Sequence, residues 1–369
     1  MKKILIIKMW AIGDILMATP MLNAIRAAEP DAHITWLVDV MHADILANHP
    51  LIDEVIALDS GSWRRLRRKG KLISWARRTR ELNLDMKARG FDAVINCQAQ
   101  EWWSYFLCAA PIRVGLFAWP KMPIRRSLYT HAIPKSRLAG LHNTDHFLQA
   151  TSALGFAPAS KKMNIGETAD ERPFAAEFRR ANDLVEDRMT VALAPFSTAS
   201  NRSIPIDQAA AIADWLAGEY GAQIIVTCGP REVEEARALA TICRKATVAM
   251  AGETTLRQYT GLIRSADLVI ASDSSPMHLA AALDIPYVAI FGPTPADERA
   301  PLEGHGIVLK KPLPCAPCDL PTCSNAVFQQ CMKLVDLRDV QEAVKSLLGQ
   351  KNGRVSGNAA RVSSIKAGT

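Results

Sequence analysis

Two Rossmann-like α/β domains in series, each a parallel sheet covered by helices, are predicted for this chain of 369 residues on three observations. Short apolar runs alternate with longer stretches of helical periodicity, the pattern of buried parallel strands and their crossover helices. The alternation occurs twice, with a polar, aperiodic stretch between the two series. Several runs end in clusters of Gly, Ser, Asp and Lys, residue types suited to the ligand crevice at the carboxyl ends of parallel strands. The length suits two halves of roughly 150 residues, and a hydrophobic content of 49% supplies two cores.

In the first series, strands are expected at Lys3 to Lys8, His33 to Val38, Glu54 to Leu58, Phe91 to Asn96 and Ile112 to Gly115. Each is short and rich in Ile, Val, Leu or Phe. Ile15 to Ala28 has the apolar spacing of a helix, and His142 to Leu154 reads as another that stops at Gly155-Phe156-Ala157-Pro158. This domain is expected over residues 1–160, followed by a polar passage over 161–189. The second series has strands at Thr190 to Ala194, Gln223 to Thr227, Thr247 to Ala249, Asp267 to Ala271 and Pro286 to Phe291. Helices are expected at Ile206 to Glu219, Val233 to Cys243 and Thr255 to Ser265. It fills residues 190–349. Residues 350–369 are poor in apolar side chains and are expected to be disordered.

No apolar run approaches the roughly 20 residues that span a bilayer, and the first strand is too short for a signal-peptide core. A cytoplasmic protein is therefore expected, with its eight cysteines reduced or bound to metal. The net charge of +7 and pI near 9.0 favour acidic partners. Much of the excess lies in Trp63 to Arg80, where Arg64, Arg65, Arg67, Arg68, Lys69 and Lys71 are interleaved with Trp63, Leu66, Leu72, Ile73 and Trp75. That composition suits a basic amphipathic element on an anionic membrane surface; a solvated helix face with inward tryptophans is the alternative. No nucleic-acid-binding module accompanies the charge, and no nucleic acid is expected as a partner.

Three constellations could carry chemistry. The first strand ends in Lys8-Met9-Trp10-Ala11-Ile12-Gly13-Asp14. Gly13 would permit a tight turn that directs the Asp14 carboxylate into the cleft, where it could serve as a general base or simply cap the next helix. Lys8 would balance charge on Asp14 or on a diphosphate, or remain a solvated lysine. In the second series, Asp273-Ser274-Ser275-Pro276-Met277-His278 follows an apolar run and leads into an alanine-rich helix. A phosphate could dock there against Ser274, Ser275 and the amides of the helix start; capping by Asp273 and Ser274 is the plain alternative. Last, Cys315, Cys318, Cys323 and Cys331 have the composition of a structural zinc or iron site, with reduced thiols packing the loop as the competitor.

From Lys3 to about Val340, these stretches in this order resemble the heptosyltransferases of glycosyltransferase family 9, which build the inner core of lipopolysaccharide. The resemblance implies the GT-B architecture, with two Rossmann-like domains facing a central cleft, and inverting sugar transfer with Asp14 as base and no metal needed for catalysis. It makes Phe196 to Pro205 the phosphate loop, with Ser197 and Thr198 as hydroxyl donors and Arg202 where the family normally has lysine. Arginine still neutralises a diphosphate, but as a planar fork rather than a point charge. Glu232, after Cys228-Gly229-Pro230-Arg231, would hold the nucleotide's ribose. Asp273, Ser274, Ser275, Met277 and His278 would complete the donor site, Ser275 replacing the family's glycine and His278 donating to the departing phosphate. The implied donor is ADP-heptose and the implied acceptor a phosphorylated glycolipid, lipid A–Kdo or a heptosyl core, at the inner face of the bacterial inner membrane. Transfer of another nucleotide sugar, a protein acceptor, or a non-catalytic protein that binds anionic lipid or nucleic acid are the alternatives.

Overall fold

In the computed structural model, residues 1–98, 110–117, 127–158, 160–351 and 361–364 are described. The chain divides into two compact units, Met1–Glu167 and Thr168–Thr369.

The first unit runs β1 (Lys3–Ile7), α1 (Ile12–Ala18), α2 (Pro20–Ala28), β2 (His33–Asp39), β3 (Glu54–Leu58), α3 (Ser60–Arg68), α4 (Leu72–Ala88), β4 (Ala93–Asn96), β5 (Ile112–Phe117), β6 (His131–Pro134), α5 (Lys135–Leu138) and α6 (Asn143–Ser152). Its sheet has the order β3-β2-β1-β4-β5-β6, and each pairing is parallel. Ile4 to Ile7 are wholly buried, as a strand covered on both faces requires. The helix expected over Ile15 to Ala28 is two helices. Pro20 has no N–H to give to the preceding turn, so it begins α2 instead.

The second unit runs α7 (Glu171–Ala181), β7 (Thr190–Ala194), α8 (Ile206–Tyr220), β8 (Gln223–Thr227), α9 (Val233–Ile242), β9 (Val248–Ala251), α10 (Leu256–Arg264), β10 (Leu268–Ser272), α11 (Ser275–Ala282), β11 (Tyr287–Ile290), α12 (Ala296–Arg299), β12 (Gly306–Lys310), α13 (Gln330–Lys333), α14 (Leu337–Lys351) and β13 (Arg361–Ser364). The strand order is β13-β12-β11-β10-β7-β8-β9, again parallel throughout. Its main core joins Val191, Leu193, Ile224, Ile270 and Val288 of the sheet to Ile212 and Leu216 of α8 and Val344 of α14.

Two expectations need correcting. The polar passage over 161–189 contains α7, whose Ala175 joins a buried cluster with Leu262 of α10, flanked by Phe174 and Phe178. Glu171, wholly buried, accepts hydrogen bonds from Arg257 Nη1 at 2.9 Å and Arg264 Nε at 3.0 Å. The helices touch so closely that a Cβ on Gly261 would lie 2.5 Å from the Glu171 carbonyl oxygen. The charges that made this stretch look solvated are partly an internal ion cluster. Two described pieces of the tail have regular structure as well: α14 continues to Lys351, and Arg361–Ser364 pairs in parallel with β12, while the rest of 350–369 lies outside the described residues. The ladder groups on that side of β12 supply a partner that tail composition does not reveal.

Candidate functional site

In a parallel sheet of order 3-2-1-4-5-6, the direction in which successive strands are added reverses between the first and fourth strands, and the loops leaving them part to form a crevice. In the first unit that point lies between β1 and β4, and the loop leaving β1 carries Lys8 to Ala11. The indole of Trp36, buried in β2, donates to the Lys8 carbonyl at 3.2 Å. The Lys8 side chain, 5% exposed, donates through Nζ to the Trp10 carbonyl at 2.8 Å and to Asp14 Oδ2 at 3.0 Å, with the Phe147 ring 5.8 Å away. Asp14 remains 40% exposed. A buried ammonium thus holds a carboxylate whose other side meets solvent.

The turn is not made by Gly13. That residue lies in the first turn of α1, and the left-handed conformation falls on Ala11, with φ 66°. A non-glycine residue at positive φ is strained and persists only where its surroundings hold it. They do so here: the Trp10 indole donates to Ser60 Oγ at 3.1 Å, and the Ser60 hydroxyl donates to buried Asp39. On the β4 side, Met9 N donates to Gln98 Oε1 at 3.2 Å. Burial pushes the Asp39 carboxyl up, but hydrogen bonds from Ser60, the Met41 amide and Trp10 outweigh it and hold the group below its usual range. Because Ala11 is the N-cap of α1 and no side chain caps the helix, Asp14 is not a cap. Asp39, Ser60 and Gln98 were missed in the sequence; their signal was a polar residue just beyond an apolar run. Cys97, beside them, has its thiol pushed up to about 12 by burial, which leaves it unsuited as a nucleophile.

The second unit repeats the arrangement between β7 and β10. Ser272 Oγ, at the end of β10, donates to the Phe196 carbonyl at 3.2 Å and lies 3.1 Å from Ser274 Oγ. Ser274 is the N-cap of α11, again with no side-chain cap, so the first N–H groups of that helix are offered outward with the positive end of its dipole. Ser275 opens the helix in ordinary helical conformation, so nothing in the backbone demands glycine there. Met277 is wholly buried and His278 is 4% exposed, so the Met277 side chain is part of the core. Asp273, 6% exposed, accepts a hydrogen bond from the Thr294 hydroxyl and lies 3.8 Å from Arg202 Nη1. Burial pushes its carboxyl up, against the opposing effects of Thr294, Arg202 and Arg299.

Arg202 ends a 3₁₀ turn, Ser200–Arg202, and also reaches Asp319 Oδ1 at 3.5 Å. Ser197 N donates to Ser203 Oγ at 3.0 Å, while Thr198 is exposed. Glu232 is the N-cap of α9, after β8, and its carboxylate folds back over Gly229. Arg202, Asp273 and the start of α11 therefore come together, and Thr294, Arg299 and Asp319 join them without having been singled out in the sequence.

The structure gives the cysteine cluster no support as a metal site. Cys315, Cys318, Cys323 and Cys331 do line one cavity, but among the described residues no three His, Cys, Asp or Glu side chains are grouped to hold a metal ion. Cys331 is buried in the main core, where its sulfur would lie 2.8 Å from a Cβ placed on Gly292. Burial pushes its thiol up. Cys315 Sγ accepts from Asn325 Nδ2 at 3.2 Å. None of the four is in a disulfide.

Residues 79–328 match the model of glycosyltransferase family 9 (heptosyltransferase). The chain is 24% identical over 299 residues to the lipopolysaccharide core heptosyltransferase OpsX of Haemophilus influenzae, covering 79% of each protein. Its fold matches the family 9 glycosyltransferase of Veillonella parvula with a TM-score of 0.80 at 23% identity, over 95% of this chain and 98% of that one. It also matches the ADP-heptose lps heptosyltransferase II of Escherichia coli with a TM-score of 0.73 at 19% identity, over 96% and 100%. The two parallel-sheet units are those of the GT-B fold. A matched family model over more than half the chain, on a fold of that kind, means that the chain belongs to glycosyltransferase family 9 and is a glycosyltransferase.

Proposed function

We propose that this chain transfers heptose from ADP-heptose, with inversion, to the inner core of lipopolysaccharide, either lipid A–Kdo or a heptosyl core. The observation that carries the reading is Asp14: a half-exposed carboxylate at the switch point of the first sheet, fixed at 3.0 Å by a buried lysine and engaged in no cap. In the proposed reaction Asp14 takes the proton of the acceptor hydroxyl as that oxygen attacks the anomeric carbon, and the bond to the diphosphate breaks on the opposite face. The electron pair leaves with ADP. Arg202, Ser274 and the amide groups opening α11 face the developing charge and replace a divalent cation. His278 donates to the departing phosphate, and Glu232 accepts the ribose hydroxyls. The names of the relatives support heptose as the sugar.

Arg202→Ala and His278→Ala are each expected to weaken ADP binding or turnover by roughly 1.5–3 kcal/mol, the range for a lost charged hydrogen bond. Transfer should continue in excess EDTA. Abolition by EDTA with recovery on adding magnesium would refute the metal-independent route.

The acceptor reading also implies a membrane surface. Among the described residues no helix is long and apolar enough to cross a bilayer, so contact would be peripheral, at the cytoplasmic face. The tryptophans of the basic segment do not provide it: Trp63 is 8% exposed, and Trp75 packs against the first unit's core. The corner between α3 and α4 instead presents Leu72 and Ile73, 60% and 88% exposed, amid exposed Arg64, Arg65, Arg67, Arg68, Lys69 and Lys71. Each cation near an anionic surface contributes about 1 kcal/mol, screened by salt. Replacing Arg64, Arg65, Arg67 and Arg68 with glutamine should lower binding to phosphatidylserine-containing vesicles at low salt. Leu72→Ser with Ile73→Ser should lower the part that survives high salt. Vesicle binding unchanged in both variants would remove the membrane role.

A further inference from the structure

The loop between β12 and α13 grips the phosphate loop at four points. Asn201 Nδ2 donates to the Leu320 carbonyl at 2.9 Å, and Gln329 Nε2 donates to the carbonyls of Ser200 and, at 3.0 Å, Ser203. The fourth is electrostatic. Asp319 Oδ1 lies 3.5 Å from Arg202 Nη2, and Asp319 Oδ2 lies 2.6 Å from Arg299 Nη2. Asp319 is itself held in an unusual backbone state, with φ 50°, and its N–H donates to the Pro293 carbonyl at 2.7 Å. Through Pro293 it is fastened to the loop leaving β11, the same loop that carries Thr294 against Asp273. The result is an alternating chain, Asp273, Arg202, Asp319, Arg299, beside the open amino end of α11.

Such a chain is more than charge neutralisation. A guanidinium has five N–H donors in a rigid plane, and one carboxylate edge fixes that plane while leaving other donors for a ligand. Arg202 Nε is buried and has no hydrogen-bond partner. A lysine at this position, a single rotatable ammonium, could not be oriented by two carboxylates in the same way. Resting on the diphosphate reading above, we infer that Asp319 is a positioning residue of the donor site. It sets the planes of Arg202 and Arg299 so that both arginines, not Arg202 alone, contact the diphosphate. Arg202 standing where lysine is expected is then coupled to the presence of a second carboxylate.

Simple electrostatics and positioning predict opposite signs. Removing a negative charge next to a diphosphate site should tighten anion binding; removing a positioning group should weaken it. The test is calorimetric titration of the full-length protein with ADP, at low and moderate salt, for wild type, Asp319→Asn, Arg299→Gln, Arg202→Ala and the double variant Arg202→Ala/Asp319→Asn. The expected result is about tenfold weaker binding for Asp319→Asn and for Arg299→Gln. In the double variant Asp319→Asn should cost less than it does in wild type, because only the part of its effect that runs through Arg299 remains once Arg202 is gone. Asp319→Glu should recover part of the loss. Unchanged or tighter ADP binding by Asp319→Asn overturns the inference, as does full additivity in the double variant. If Asp319→Asn does not fold, Arg299→Gln decides, and wild-type affinity in that variant overturns the two-arginine site. Wild-type protein that binds no ADP removes the donor reading and this inference with it, whereas wild-type binding with indifferent variants removes the inference alone.

Discussion

Asp14→Asn is expected to lower kcat by at least about a hundredfold, the usual contribution of a positioned base, while ADP binding stays as in wild type. The amide is nearly isosteric with the carboxylate, and its oxygen can still accept the hydrogen bond that Lys8 Nζ now gives at 3.0 Å. Fold and loop should therefore survive. What the variant loses is the ability to take a proton at neutral pH. Turnover with ADP-heptose and saturating acceptor, measured beside ADP affinity, checks this. Undiminished kcat would make Asp14 an ion-pair anchor for the strained Ala11 turn and leave the reaction without a base in that loop.

The second large effect concerns stability. Glu171→Ala should cost about 3–5 kcal/mol, because it strips two arginines of their shared counter-ion in a site where the Arg257 side chain is only 5% exposed and Arg264 22%. Against a typical domain stability of about 5–15 kcal/mol, that is enough to shift the urea midpoint of the second unit clearly, with little change in slope. Glu171→Gln, which keeps the shape and loses the charge, should fall between wild type and alanine. A loss under about 1 kcal/mol in the alanine variant would show that water reaches the cluster and that α7 is held by Phe174 and Phe178 instead.

The fold was legible because burial on two faces leaves a plain mark. Ile4 to Ile7, Val191 to Ala194 and Leu268 to Ala271 are runs that only a covered parallel strand requires, and each is a strand. Local rules also located the loops that leave these strands, since polar residues just past such a run stand at a sheet's carboxyl edge. They did not reveal α7, whose buried glutamate reads as surface until Arg257 and Arg264, far along the chain, are seen to meet it. The tryptophans of the basic segment turn inward, a matter of packing that their spacing along the chain does not record.

By itself, then, the sequence determined the two parallel sheets, the family and the loops that hold Asp14, Arg202 and Asp273, because apolar runs and the residues next to them are local properties of the chain. The tertiary structure decided that Ala11 rather than Gly13 makes the turn, that the four cysteines line one cavity, and that Asp319 and Arg299 stand beside Arg202. These depend on which loops meet. Interactions of charge, burial and backbone strain are set by neighbours in space, and Asp319 lies 117 residues from Arg202, a distance over which no periodicity carries information.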